Sequence, residues 1–302
     1  MVISSEDHSP LPRVPQRRLF YGWYIVFVVF MASLITSGIG GWGLSFFLIP
    51  MSEDFSVSRT EFSAISLFRL APLPLLPFLG VLVDKKHGPR VLIVGGSIAA
   101  GIVLVATSLV QTIWQFYLVY GILFSFAQFA IAGQLVGPAV LAKWFIKKRG
   151  RVMAISAIGI SAGGFVIAPA VGWFIDSYHW RDAWVFLGIS MVIVVTPLGA
   201  MFMRRQPEDM GLLPDGVSPS DASIDRAVEE RSDFEYSWTR GQALRTRAMW
   251  LLLVVQTLSL GINLPTLFHQ VAYVQDKGFG LLEATSIATT TAAFAILGKL
   301  LY

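Results

Sequence analysis

Five stretches of this chain carry no charged side chain at all: residues 19–52, 91–142, 152–175, 183–203 and 248–275. A helix needs about 20 apolar residues to cross a bilayer, and a soluble core has no use for uncharged runs this long. With 55% hydrophobic and only 14% charged residues, too little polar surface is left to coat a water-soluble particle of this size. The chain therefore reads as an integral membrane protein. The run over 91–142 is long enough for two crossings, turning at Gln111-Thr112-Ile113-Trp114-Gln115, where polar side chains and an interfacial tryptophan sit together.

Two more crossings are each interrupted by one basic residue, Arg69 within 61–83 and Lys299 within 281–301. The expectation is an all-α bundle of eight membrane helices near residues 20–48, 60–83, 91–110, 115–142, 151–175, 183–203, 248–274 and 281–302. Continuously apolar runs favour helices over a barrel, whose strands would alternate. The first run exceeds the apolar region of a signal peptide and is expected to stay as an anchor. The absence of cysteine leaves the redox compartment open.

Basic residues cluster at 13–18, 85–90, 143–151 and 204–247, all on one side of an alternating eight-helix path, while the other side holds Arg59, Arg181 and Lys277. The positive-inside tendency then puts the N-terminus in the cytoplasm and the chain in the cell membrane. The basic residues of LAKWFIKKRGR join two spans, so the charge reports topology and no nucleic-acid partner is expected. Loop lengths divide the chain into a cytoplasmic tail (1–19), a six-helix bundle (20–203), a cytoplasmic linker (204–247) and two further helices (248–302). The middle of the linker, PDGVSPSDASIDRAVEERSD, has the composition of a flexible segment. Ser58 with Glu61, and Thr239 with Gln242, have capping-box spacing ahead of helices.

Within the seventh span Gln256, Ser259, Asn263, Thr266 and Gln270 recur at helical spacing, interrupted by Pro265. A polar stripe at membrane depth lines an aqueous cavity or bonds to other helices. Arg69 lies within the second span, where a guanidinium either serves an anion, bidentately for a carboxylate, or snorkels to the interface. His269 reads as a satisfied interior histidine or a proton carrier. Ser156, Gly159 and Gly163 read as close packing, and Asp176, Arg181 and Asp182 as an outer-loop ion-pair cluster. No HExxH motif and no pair of membrane-depth carboxylates is present, and the four histidines are scattered. The chain is therefore expected not to be an enzyme, with no cofactor and no metal.

Between the second and third spans stands GVLVDKKHGPR. Its Gly80, Leu82, Asp84, Lys85, Gly88 and Arg90 resemble the loop signature of the major facilitator superfamily. WFIKKRGR, HWRDAW and RRQPEDMGLLPDG are similar to stretches of bacterial members related to monocarboxylate and oxalate/formate transporters. GGWG at Gly40–Gly43 resembles their first-helix signature, with Ile39 and Leu44 where an acid and a tryptophan are expected; the fourth helix lacks the arginine of proton-coupled members. The resemblance implies a second six-helix half of which two helices are present here, so the chain is expected to be C-terminally truncated.

On that basis the expected function is secondary active transport of a small organic anion, a mono- or dicarboxylate, by alternating access. Arg69, Gln256, Ser259, Asn263, Thr266 and Gln270 are the substrate candidates; the partners are that solute, the lipid bilayer and a coupling ion, proton or counter-anion. A transporter of a neutral solute such as a sugar or drug is the first alternative, and a non-transporting sensor or assembly subunit the second. Gly80, Asp84, Lys85, Gly88 and Arg90 are expected to form a gating motif. Asp84 falls at the C-terminal end of a helix, where the dipole disfavours an anion by about 0.3–1 kcal/mol, so it needs a positive partner: Lys85, Arg90 or a helix N-terminus of the other half.

Overall fold

The computed structural model describes residues 20–131, 135–216 and 240–301. Among them eight helices are long and apolar enough to cross a membrane: α1 (Gly22–Asp54), α2 (Arg59–Val83), α3 (Gly88–Thr107), α4 (Ile113–Ala130), α5 (Arg149–Ser177), α6 (Trp180–Phe202), α7 (Arg247–Asp276) and α8 (Leu281–Leu300). Helical backbone resumes after α4 over Gly137–Trp144. No strand occurs among the described residues. The eight expected spans are all present, and α1 runs six residues past its expected end, through Pro50.

Local chemistry sets several helix starts. Ser58 accepts from the Glu61 amide at 3.2 Å while Glu61 Oε2 accepts from the Ser58 amide at 2.7 Å, a complete capping box ahead of α2. His179 and Asp182 cap α6 in the same reciprocal way, and Thr246 accepts from the Met249 amide at the start of α7. Of the other expected box, Thr239 lies outside the described residues; a short helix does cover Arg240–Leu244.

Lipid offers no hydrophobic drive between helices, so association rests on close approach. A Cβ at Gly188 of α6 would stand 2.7 Å from the Gly101 carbonyl oxygen of α3, and one at Gly101 would stand 2.8 Å from that of Gly188. On α5, a Cβ at Gly159 would meet the Phe30 carbonyl oxygen of α1 at 2.6 Å, and one at Gly163 would overlap that of Leu34. The close-packing reading of Gly159 and Gly163 therefore holds, with Ser156 buried beside them. α8 lies along α5, where Gly172 leaves room for Thr285.

α2 departs from this regularity. Pro72, Pro74 and Pro77 withdraw three amide donors, and α2 divides into the pieces Arg59–Ser63, Ile65–Phe68, a 3₁₀ turn Leu73–Leu75 and Leu76–Val83. Two other irregularities are π-helical: Gly38–Gly43 in α1 and Tyr117–Phe124 in α4.

Two expectations are corrected here. Arg181 pairs with Asp54 of α1 at 2.8 Å and stacks on Trp180 at 4.1 Å, so it does not cluster with Asp176 and Asp182; Asp182 is occupied in capping. Also, Pro214-Asp215-Gly216, read as the start of a flexible stretch, docks on the bundle. Asp215 accepts from the amides of Ile146, Lys147 and Lys148 at 2.9, 2.8 and 3.3 Å, just ahead of α5, whose N-cap residue Lys148 supplies no side-chain acceptor. A remote aspartate thus does the work of an N-cap. The segment between α6 and Gly216 is a strap, bent by left-handed Gly211, Asp215 and Gly216.

Candidate functional site

Arg69 follows the helical piece Ile65–Phe68, one turn before the proline-rich break. Its side chain turns inward, which excludes the snorkelling alternative. One terminal nitrogen donates to the Gly40 carbonyl at 2.7 Å and the other to Gln128 Oε1 at 3.3 Å, while the guanidinium carbon stands 5.8 Å from the Tyr120 ring centroid. Gln128 Nε2 in turn donates to the Thr36 carbonyl at 3.1 Å. Three helices therefore meet at Arg69, and both π-helical segments contribute: Gly40 belongs to one and Tyr120 to the other. Wide π turns recur where a helix must present backbone or side chains to a site. At Gly40 a Cβ would overlap Gln128 Nε2, so the network requires glycine.

Every acceptor that Arg69 finds is neutral, and a guanidinium has five N–H donors. Tyr120 is fully buried and its hydroxyl has no partner. Tyr120 and Gln128 escaped the reading of the sequence because they are uncharged members of a long apolar run; their signal was only that polar groups at membrane depth seldom lack a purpose.

A second cation lies at membrane depth. Lys299 of α8 donates to the Ala157 carbonyl and to Ser161 Oγ of α5, both at 2.8 Å. Its level is that of the π segment of α1, since Gly38 packs on Gly163, two residues along α5 from Ser161. Lys299 is not among the substrate candidates read from the sequence. Neither Lys299 nor Arg69 has a carboxylate partner among the described residues.

The polar stripe of α7 is placed differently. Gln256, Ser259, Asn263 and Thr266 are exposed, and among the described residues none bonds to another helix: Asn263 Nδ2 donates to the Ser259 carbonyl and Thr266 Oγ1 to that of Ile262, both at 2.8 Å. Gln270 is half-buried, with a buried, unpaired Nε2. The structure does not bring the stripe into hydrogen-bond contact with Arg69. His269 is exposed, not interior, with Nε2 3.5 Å from Ser63 Oγ of α2.

At the basic end, Asp84 stands at the C-terminus of α2 as the helix dipole argument requires, but its partner is neither Lys85 nor Arg90. Lys143, in the last turn of Gly137–Trp144, pairs with it at 2.6 Å, and Arg205 donates to the Asp84 main-chain carbonyl at 2.9 Å. The base comes from another helix, while Lys85 and Arg90 of the α2–α3 turn are exposed. A Cβ at Gly88 would overlap the Leu82 carbonyl oxygen, so this turn demands glycine. Gly80 has open space around its Cα.

The chain as a whole is similar to known proteins. Residues 20–301 match the Major Facilitator Superfamily, and the chain belongs to that family. It is 23% identical over 282 residues to monocarboxylate transporter 13 of Rattus norvegicus, covering 92% of this chain and 60% of that protein. It is 31% identical over 152 residues to a fujikurins efflux protein of Gibberella fujikuroi, covering 48% of this chain and 31% of that protein. A riboflavin transporter of Trypanosoma brucei brucei is 28% identical over 195 residues, covering 62% of this chain and 34% of that protein. A bacterial homolog of the human lysosomal transporter Spinster, solved in an inward-facing, unoccupied conformation, shares the fold with a TM-score of 0.66 at 15% identity. That match covers 93% of this chain and 62% of the solved one. The chain thus spans about 60% of the length of a relative that matches nearly all of it. It is a multi-pass membrane protein of a family of transporters.

Proposed function

We propose that this chain is part of a secondary transporter of small organic anions, mono- or dicarboxylates, working by alternating access in the cell membrane with its N-terminus in the cytoplasm. The observation that carries this reading is the pair Arg69 and Lys299: two cations at membrane depth, held only by carbonyl, amide and hydroxyl oxygens. A charge taken out of water without a counter-charge is strongly disfavoured, and a carboxylate entering between the helices supplies one. The Arg69 guanidinium suits a carboxylate in bidentate geometry, and the unpartnered Tyr120 hydroxyl offers a further donor. The name of the monocarboxylate relative agrees with this chemistry.

Asp84 with Lys143 serves in this reading as a cytoplasmic latch within the gating motif, with Gly88 shaping the turn. The bundle 20–203, the linker 204–247 and the pair 248–302 are its working parts, and the coupling ion is a proton or a counter-anion. A neutral solute is the second reading, favoured by the uncharged polar stripe of α7 and by the relative named for riboflavin. Uptake of a labelled monocarboxylate into proteoliposomes by the full-length protein tests both. Arg69→Gln and Lys299→Met are each expected to lower uptake by at least about 30-fold, the effect of stranding one partner of a buried charge pair. Unchanged affinity and rate in both variants would transfer the site to a neutral solute.

A further inference from the structure

At the basic end, away from Arg69 and Lys299, a cavity of about 220 Å³ opens between the α2–α3 turn and the end of α6. Lys86, His87, Arg90, Arg204 and Arg205 line it with Asp209, over the fully buried Met203. The charges are unequal, four permanent cations against one carboxylate. That carboxylate is already taken: Asp209 accepts from Arg205 at 3.0 and 3.3 Å, which, with the bond from Arg205 to the Asp84 carbonyl at 2.9 Å, fixes this guanidinium as one wall. Among the described residues the Arg204 side chain reaches only the Met203 carbonyl, at 2.9 Å. Lys86 and Arg90 have no carboxylate partner among the described residues. α3 also begins here, and His87 at its N-cap provides no side-chain acceptor for the first-turn amides, so the positive end of the α3 dipole adds to the field.

Solvation alone accounts for basic residues at such a membrane face, but not for their convergence on a cavity with a fixed arginine wall. We propose that this pocket binds a phosphate group, that of an anionic phospholipid or free phosphate. Tetrahedral phosphate accepts from several directions at once, which suits a site with guanidinium, ammonium and imidazole donors on different walls. A basic pocket between membrane helices at the anionic leaflet is also where a phospholipid head group is concentrated by the surface potential. The proposal does not depend on which solute the protein carries.

Thermal unfolding of the purified full chain in neutral detergent tests it, with short-chain phosphatidylglycerol, short-chain phosphatidylcholine and inorganic phosphate as separate titrants at constant ionic strength. A saturable rise in Tm with phosphatidylglycerol and not with phosphatidylcholine is expected, and Lys86→Gln and Arg90→Gln should each raise the half-saturating concentration on the order of fivefold. Arg90→Lys keeps the charge and should keep saturation. Arg151→Gln removes an exposed base of the same face outside the cavity and should leave the titration unchanged. An equal saturable rise with inorganic phosphate would assign the site to the free ion, and a rise confined to the lipid would assign it to the head group. No saturable rise with either phosphate source, or equal weakening by Arg151→Gln, would overturn the proposal.

Discussion

The last turns of α7 and its earlier ones are written in similar apolar language, yet they occupy different surroundings. Phe268, Val271, Ala272 and Val274 are buried, whereas every residue from Trp250 to Thr266 is exposed. At the buried end, Arg59 of α2 donates to Asp276 at 2.8 Å, Phe62 stacks near Phe268 at 6.1 Å, and Ser63 meets His269. At the basic end, α2 and the loops of the first six helices bond to one another instead, through Asp84 with Lys143 and Asp215 with residues 146–148. Contacts between α7 and the first six helices are thus concentrated at the end opposite the basic face. Hydropathy alone does not distinguish the two ends of α7, because lipid and protein interior are equally apolar; shape and specific polar contacts do.

The largest effect is expected where the first six helices hold each other. Gly163→Leu would drive a side chain into the backbone of α1 at Leu34 and Gly38, and backbone cannot yield as a side-chain tip can. A loss of about 3 kcal/mol or more is expected, at the upper end of what overpacking costs, read as a collapse of Tm in detergent. A variant of wild-type stability would show that the α1–α5 seam is looser than its geometry.

Next in size is the strap. Asp215→Ala strands three amides ahead of α5 and removes a charge-assisted acceptor, at an expected cost of about 1.5–3 kcal/mol. Asp215 sits at φ 60°, where alanine gains no relief, so Asp215→Gly, which tolerates that φ, should cost less than alanine. Faster proteolysis over residues 143–151 in the alanine variant, with the α7–α2 end unchanged, would confine the effect to the basic end.

Arg59→Gln acts on the opposite end. The pair with Asp276 is nearly half exposed on both sides, so its loss should change stability by no more than about 1 kcal/mol. Its effect should appear as access. The chain has no cysteine, so a single cysteine placed at Val271 reports directly through its rate of thiol labelling, expected to rise several-fold in the Arg59→Gln background. A rate unchanged by the substitution would mean that the aromatic contacts alone close that end.

Much of this organisation was legible in the sequence because a bilayer is a simple solvent: it fixes span length and penalises charge, so eight spans and the singular position of Arg69 could be read from residue order. What escaped was tertiary pairing. Asp84 finds Lys143, Arg181 finds Asp54, and Asp215 finds three backbone amides, each across dozens of residues and between elements whose relative position only packing determines. Gln128 and Tyr120 escaped for another reason: their importance lies in facing Arg69, and an uncharged residue in an apolar run does not reveal its facing. The α7 stripe has regular spacing, but four of its five members are exposed and two of these bond only to their own helix, because periodicity identifies a common face and not what that face meets.

Gln270 gives the smallest and most discriminating test of that stripe. It is the one member at the buried end of α7, and its Nε2 is buried without a partner, a state that costs about 1–3 kcal/mol when a polar group is desolvated for nothing. If that amide serves only packing, Gln270→Met, of similar length and without the polar atoms, should be neutral or stabilising by up to about 1 kcal/mol in a thermal melt, with uptake by the full-length protein unchanged. If it lines the solute path, the same variant should keep its stability and lose uptake, while Asn263→Leu at the exposed part of the stripe moves in parallel. Loss of uptake at Gln270 without loss at Asn263 would divide the stripe along the same line that divides the two ends of α7.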